Sequence, residues 1–238
     1  MDFSVVIPAF NEAAKIGRDI GAAAAFFTEN NLAGEIIVAD DGSTDDTAAA
    51  AERVELPDIV GRTVVRSENH RGKGHAVRSG IRKTCGDFVL FADSGLCVPF
   101  GNVLRGLQLI RDGKCDIAHG SRRLPDSVIR QPRSQARRFV SGAFSALIPH
   151  AAGVPGDLTD TQCGFKLYRG DIARELYADC FTDGFLFDVE IILRACKKGH
   201  VICEFPVEWT SDPDSRLNPL RHGLGMLAEL IAIRRANL

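Results

Sequence analysis

No stretch of this chain approaches the roughly 20 consecutive apolar residues that a helix needs to cross a bilayer, so no membrane-spanning helix is expected. No secretory leader is expected either: Met1-Asp2-Phe3-Ser4 runs directly into a strand-like segment, without the apolar core that a signal peptide carries. The expectation is a soluble or peripheral protein of the cytoplasm. A surplus of charge of one sign is absent. Lysine and arginine number 29 against 31 acidic residues, a net charge of −2, and without a basic field nothing argues for nucleic acid as a partner. The seven cysteines lack pattern, being odd in number and scattered with no Cys-x-x-Cys pair. That speaks against a disulfide framework and suits reduced thiols in a cytosolic compartment. Internal repeats, low-complexity tracts and linkers are missing too. At 238 residues the chain has enough length to bury a full core, and one domain over 1–238 is expected.

What is present is alternation. Apolar runs rich in valine and isoleucine at 3–9, 35–40, 63–66, 87–92 and 116–119 predict strands. Segments of helical period at about 12–28, 44–54, 74–84 and 100–111 lie between them. This order implies an α/β fold with a mostly parallel, doubly wound sheet flanked by helices. Such sheets bind ligands at the carboxyl ends of their strands. The later part is less regular, with a helix near 134–148, a strand at 164–168, a helix near 187–197 and a strand at 201–207. A nucleotide half (1–120), an irregular acceptor half (121–215) and a C-terminal amphipathic helix (216–238) are expected.

Several polar motifs sit at the expected strand ends. Val6-Ile7-Pro8-Ala9-Phe10-Asn11-Glu12 closes the first strand, where a proline, unable to continue a central ladder, turns the chain. Asn11 and Glu12 also fit the plain role of helix-start residues. Asp40-Asp41-Gly42-Ser43-Thr44-Asp45 follows the second strand. Adjacent carboxylates on an extended chain point opposite ways, which leaves one, Asp41, to face the crevice as a uracil or ribose contact. Ser43 or Thr44 is expected to cap the next helix, with Asp45 and Asp46 meeting its dipole. His70-Arg71-Gly72-Lys73-Gly74-His75-Ala76 lacks the third glycine of a dinucleotide fingerprint and is not a Walker A loop. Two glycines flanking a lysine at a helix start make either an anion cradle or an ordinary turn.

Leu158-Thr159-Asp160-Thr161-Gln162-Cys163-Gly164-Phe165-Lys166-Leu167-Tyr168 is the most informative stretch, since groups able to hold a phosphate run straight into a short strand. With the two motifs at 6–12 and 40–45, it resembles the family-two inverting glycosyltransferases that act as polyprenyl-phosphate sugar transferases, dolichyl-phosphate β-glucosyltransferases among them. The resemblance runs from about Ser4 to the C-terminus. It implies a GT-A-like fold and inverting transfer of a hexose, glucose foremost, from a UDP-sugar to a polyprenyl phosphate. In that family the matching positions make Pro8, Phe10, Glu12 and Asp41 the nucleoside pocket and put Lys73 beside the donor diphosphate. Asp93-Ser94-Gly95 departs from the family's Asp-x-Asp pair, because Gly95 stands at the second carboxylate. Mg²⁺ sites often use one or two protein carboxylates plus substrate phosphates, so Asp93 is expected to hold Mg²⁺ or Mn²⁺ as the cofactor.

Between Arg122 and Arg138 the chain carries six arginines and one acidic residue, Asp126. A solvated basic face is the ordinary use of such a run. The resemblance assigns Arg122 to the diphosphate and Arg137 or Arg138 to the acceptor phosphate, contacts that suit arginine's planar fork. Arg123, Arg130 and Arg133 then add positive potential toward an anionic lipid surface. A sugar hydroxyl attacking an anomeric carbon needs a general base. A phosphate monoester, with a second pKa near 6, arrives ionised and needs positioning instead. Arg137, Arg138, Thr161, Gln162 and Lys166 supply that, while Asp160 stands about where hydroxyl-acceptor relatives keep their base. Asp188 reads as a family position or as a helix cap, and Arg216 as a phosphate clamp on a closing loop. Leu217, Leu220, Leu224, Leu227 and Ile231 form a stripe at helical spacing, for packing or for a membrane surface. Two further readings stand beside the first: a UDP-sugar transferase with a soluble hydroxyl acceptor and Asp160 as base, and a sugar-nucleotide-binding protein without turnover, prompted by Gly95.

Overall fold

The computed structural model describes residues 2–131, 151–212, 219–236 and 238. The helix expected near 134–148, with Arg133, Arg137 and Arg138, lies outside the described residues, as do Arg216 and Leu217. The first part of the chain alternates as its apolar pattern demands: β1 (Phe3–Ala9), α1 (Ile16–Glu29), β2 (Gly34–Asp40), α2 (Thr47–Glu52), β3 (Val60–Arg66), α3 (Lys73–Ile81) and β4 (Phe88–Ala92). A single 3-10 turn (Phe100–Asn102) leads into α4 (Val103–Arg111), followed by β5 (Ile117–Ser121) and β6 (Val128–Gln131). The later part holds β7 (Phe165–Arg169), α5 (Gly170–Ala178), α6 (Phe187–Lys197), β8 (Ile202–Pro206), β9 (Glu208–Thr210) and α7 (Pro219–Arg235).

Seven strands form one sheet in the order β3-β2-β1-β4-β7-β5-β8, and β6 pairs with β9 apart from it. Every pairing is parallel except those of β7, which runs antiparallel to β4 and β5. That reversal matters for the site: the residues before β7 arrive at the edge where β1, β2, β4 and β5 end. Pro8 is tolerated inside β1 because β4 pairs only with Phe3–Val6, so no bond to β4 is lost at the proline.

Alternate side chains fill two cores, one on each face of the sheet. Val5, Ile7, Ile36, Val38 and Leu90 pack with Phe26 and Phe27 of α1 and with Val103 and Leu107 of α4. Val6, Ile37, Val89 and Phe91 pack with Val77 and Ile81 of α3, Ile172 and Leu176 of α5, and Phe187 and Ile191 of α6. Phe3 meets Phe26 and Phe27 edge-on at 6.0 and 6.1 Å, and each buried ring of this size contributes about 1.5–3 kcal/mol. Helices thus cover both faces, as a doubly wound sheet requires.

The C-terminal helix differs from its reading as a stripe. α7 docks on α6 through Met226 and Ile233, packed with Leu186, Val189 and Leu193. Glu229 reinforces the contact by accepting the Gly184 and Leu186 amides at 2.7 and 3.1 Å. Leu227 and Ile231 of the expected stripe are turned outward, 54% and 44% exposed. No helix among the described residues is long and apolar enough to cross a membrane.

Candidate functional site

The ends of β1 and β2 lie in register, Ala9 opposite Asp40, and carry the first half of the site. Asn11, in the left-handed region at φ 52°, turns the chain back. Its N–H donates to Ser43 Oγ at 2.8 Å, and its Oδ1 accepts the Thr44 amide at 2.8 Å. Ser43 is therefore no helix cap. The N-terminus of α2 has no side-chain cap bond at Asp46; Asp45 instead accepts the Thr47 amide at 3.0 Å. Asp40 and Asp41 diverge as an extended backbone dictates. Asp40 accepts Ser43 N–H at 2.9 Å and faces Arg66 at 3.5 Å. Asp41, 2% exposed, accepts the amides of Arg71 and Gly72 at 3.1 and 2.6 Å.

Two imidazoles complete the surroundings of Asp41: His70 Nδ1 at 2.7 Å and His75 Nδ1 at 3.2 Å. His70 also stacks on Phe10, with centroids 3.9 Å apart and planes 19° from parallel. Phe10 and Asp41 therefore hold between them a flat nitrogen heterocycle from their own chain. Glu12 is nearly buried and pairs with Lys15 Nζ at 3.0 Å.

The 70–76 loop is not the backbone cradle that its glycines suggest. Its amides are already engaged: Gly72 with Asp41, Gly74 with the Gly184 carbonyl at 3.1 Å, His75 with the Asp183 carbonyl at 3.1 Å. Arg71 and Arg78 clamp the Asp183 carboxylate at 2.7 and 2.5 Å. What remains for an anion is Lys73. Its ammonium lies 2.6 Å from Asp93 Oδ1 and 5.3 Å from the Phe91 ring centroid. Burial works against that ammonium, but Asp93 and then Asp188 outweigh it and raise its pKa.

Asp93 sits just past β4 and donates its amide to the Gly164 carbonyl at 2.8 Å. A Cβ at Gly164 would fall 2.0 Å from Asp93 Oδ2, so only glycine lets this carboxylate rest against the start of β7. The donor set suits a hard cation, since Asp93 offers oxygen ligands and the Lys73 ammonium already occupies one of them. Among the described residues no group of three or more His, Cys, Asp or Glu side chains forms a ready cage. Cys97 lies beside the same charges. Burial, then the Asp93 and Asp212 carboxylates, push its thiol up to about 11.

The segment before β7 delivers Asp160, 2% exposed, to Arg122 at the end of β5. Arg122 Nε and Nη2 bond Oδ2 and Oδ1 at 2.6 and 2.8 Å, and the guanidinium lies 5.5 Å from the Trp209 ring. Burial alone would raise the Asp160 pKa, but the Arg122 bonds win and hold it below the usual carboxylate value. Arg122, expected at the diphosphate, is thus committed to Asp160. Thr161 is buried, and its Oγ1 has no hydrogen-bond partner among the described residues; Gln162 beside it is half-buried.

Lys166 is corrected more sharply. It is fully buried, with Nζ bonded to Asp188 Oδ1 at 2.5 Å and to the Cys163 carbonyl at 2.9 Å. Its ammonium is spent on those two oxygens inside the protein and is not presented at the surface. Asp188 is accordingly no helix cap; α6 has no side-chain cap bond. Arg123 and Arg130 of the basic run are paired at the surface, with the Thr159 carbonyl at 3.0 Å and Glu208 at 2.9 Å.

The chain that carries these groups, with Asp41 after β2, Asp93 after β4 and the ion-paired Asp160 before the reversed β7, matches a known sequence pattern. The pattern described as Glycosyl transferase family 2 matches residues 4–177. The chain belongs to that family. Within glycosyltransferase family 2 it is 32% identical over 254 residues to the dolichyl-phosphate beta-glucosyltransferase of Saccharomyces cerevisiae, covering 99% of this chain and 75% of that protein. It is 31% identical over 241 residues to the enzyme of the same name from Dictyostelium discoideum, covering 97% and 73%. Glycosyltransferase AglD of Haloferax volcanii is 31% identical over 97% of this chain, which spans only 36% of AglD. Among solved folds, glucosyl-3-phosphoglycerate synthase from Mycobacterium tuberculosis, in complex with Mn²⁺, UDP and phosphoglyceric acid, superposes with a TM-score of 0.65 at 24% identity, over 98% of this chain and 76% of that one. Mannosyl-3-phosphoglycerate synthase from Rubrobacter xylanophilus superposes with a TM-score of 0.67 at 19% identity, over 100% and 74%. The fold is therefore GT-A, and the chain is a glycosyltransferase.

His70, His75, Lys15, Asp183 and Asp212 are the site neighbours that sequence reasoning missed. Both histidines lie inside the glycine-lysine motif, where their spacing around Lys73 was the only available signal.

Proposed function

We propose that this glycosyltransferase moves a hexose, glucose foremost, from a UDP-sugar to a polyprenyl phosphate with inversion at the anomeric carbon. Near-full-length similarity to dolichyl-phosphate beta-glucosyltransferases supports the acceptor. The observation that carries the reading is the state of Asp160. A general base must be free to take a proton, with a pKa near the working pH. Asp160 is gripped by Arg122 on both oxygens, and its pKa is depressed. An acceptor that brings its own negative charge fits such a site.

The donor end is supported by Phe10 and Asp41, which hold the His70 ring as they would a uracil: one flat face stacked, one ring N–H given to a carboxylate. UDP in a structural neighbour agrees with that choice. In the reaction an acceptor phosphate oxygen bonds to the anomeric carbon as the bond from that carbon to UDP breaks, its electron pair leaving on the β-phosphate. Asp93 would hold Mg²⁺ or Mn²⁺, which when bound neutralises charge on the departing diphosphate. Lys73, seated between Asp93 and the Phe91 ring, is free to turn its ammonium to the same oxygens. Arg122 and Asp160 fix the loop that presents Thr161 and Gln162 to the acceptor; Arg137, Arg138 and Arg216 are assigned to its phosphate by family position. The outward face of α7, with Leu227 and Ile231 beside Arg234 and Arg235, suits peripheral contact with an anionic lipid surface.

Turnover of UDP-hexoses with a polyprenyl phosphate and with free sugars, each with and without divalent cation, tests the reading. Product is expected only with the lipid phosphate and cation. With that acceptor, kcat/KM should fall below about pH 6, where the phosphate loses its second charge. Faster transfer to a free sugar, with an acid limb that Asp160→Asn removes, would favour the hydroxyl-acceptor reading.

A further inference from the structure

Residue 95 is where an Asp-x-Asp pair would carry its second carboxylate, and here it is a glycine at φ 93° with its N–H given to Asp19 at 2.6 Å. The space its missing side chain leaves is filled. The Thr210 amide donates to the Cys97 carbonyl at 2.8 Å, which stitches the end of β9 to this loop and brings Asp212 over Gly95. A Cβ built on Gly95 would lie 2.8 Å from Asp212 Oδ2 and 3.2 Å from its Cγ. The Asp212 carboxylate therefore occupies the volume into which an aspartate at 95 would project.

Both carboxylates also carry a cation. Lys73 Nζ lies 2.6 Å from Asp93 Oδ1, and Lys15 Nζ lies 2.9 Å from Asp212 Oδ2. Two ammonium groups thus stand on the oxygens that a hard divalent ion would use. We propose that Asp212 supplies the second carboxylate of the divalent-cation site, in place of the aspartate that Gly95 lacks. The inference rests on the metal reading given for Asp93 and specifies its second ligand. Carboxylates from two loops, with diphosphate oxygens and water, meet the demands of Mg²⁺ or Mn²⁺. Lys15 keeps a partner when displaced, because Glu12 Oε2 is already 3.0 Å from its ammonium.

The test is Mn²⁺ binding by the full chain with saturating UDP, read by electron paramagnetic resonance of free Mn²⁺, with UDP affinity measured separately without metal. Asp212→Asn should weaken Mn²⁺ binding about tenfold or more, since even the loss of an outer-shell partner typically costs about 10–100-fold. Asp212→Glu should recover part of the loss, and UDP affinity without metal should not change. Lys15→Gln, which removes the competing ammonium, should bind Mn²⁺ at least as tightly as the parent; weaker binding there counts against the assignment even if Asp212→Asn fails to fold. Parental Mn²⁺ affinity in Asp212→Asn, with loss in Asp93→Asn, would overturn Asp212 while leaving a site at Asp93. A parent chain that binds no Mn²⁺ would overturn both.

Discussion

Arg122 holds Asp160 by two side-chain bonds, one to each carboxylate oxygen at 2.6 and 2.8 Å, and adds its own backbone N–H to the same carboxylate at 3.1 Å. The pair joins the end of β5 to the segment before β7, so the substitution expected to report on a general base also reports on stability. Asp160→Asn should cost about 3 kcal/mol, the lower end for a broken buried pair, because the Arg122 side chain keeps 20% of its surface exposed. The Asp160 pKa is lower in the folded chain. Its contribution is therefore fully present above the unfolded value of about 3.9 and is lost as pH falls through the folded one. Denaturant unfolding of parent and variant should show a gap that is constant above about pH 5 and shrinks below about pH 4. A gap that persists unchanged into strong acid would separate Asp160 ionisation from stability.

The Asp41 pocket makes a paired prediction. Asp41→Asn should weaken UDP binding by about ten- to a hundredfold, the loss of one charge-assisted bond. His70→Ala should bind UDP no more weakly than the parent, because His70 stacks where the base is expected. Calorimetry on both variants decides it, and a tenfold loss in His70→Ala would make that ring a wall of the pocket.

Restoring the Asp-x-Asp pair should not help. Gly95→Asp puts a side chain at φ 93° and 2.8 Å from Asp212 Oδ2, a strain of about 1–3 kcal/mol. Thermal unfolding should show that loss, with no gain in Mn²⁺ affinity. An unchanged melting temperature together with tighter Mn²⁺ binding would mean that the loop rearranges to accept the pair.

Lys166 separates support from contact. Lys166→Met leaves Asp188 buried without its nearest cation, which should cost about 3–5 kcal/mol of stability. The acceptor KM of the remaining folded enzyme should be close to that of the parent. A large rise in acceptor KM with parental stability would return Lys166 to the phosphate.

The two faces of α7 should respond differently. Leu227→Gln with Ile231→Gln should reduce co-sedimentation with anionic liposomes while leaving stability within about 0.5 kcal/mol, as for exposed positions. Met226→Ala should cost about 2–5 kcal/mol, as for other buried large-to-small changes. Equal liposome partition of the parent and the double variant would assign the exposed stripe to some other use.

The sequence alone determined the alternation that builds the sheet, because strands buried on both faces must be apolar throughout and helices between them must repeat at 3.6 residues. It also determined that Asp41 and Asp93 stand at strand ends, since each directly follows such a run. Helix α5 escaped because Ile172, Ala173, Leu176 and Tyr177 make a stripe barely two turns long. Strands β6 and β9, 4 and 3 residues long, are too short for alternation to register. Tertiary structure decided which partner each charge takes: Arg122 on Asp160, Lys166 on Asp188, Asp212 against Gly95. Those pairings join residues distant along the chain, and a charge carries no periodic mark of its partner. Only the reversal of β7 and the stitch between β9 and the Cys97 loop bring them within reach, where burial makes pairing obligatory.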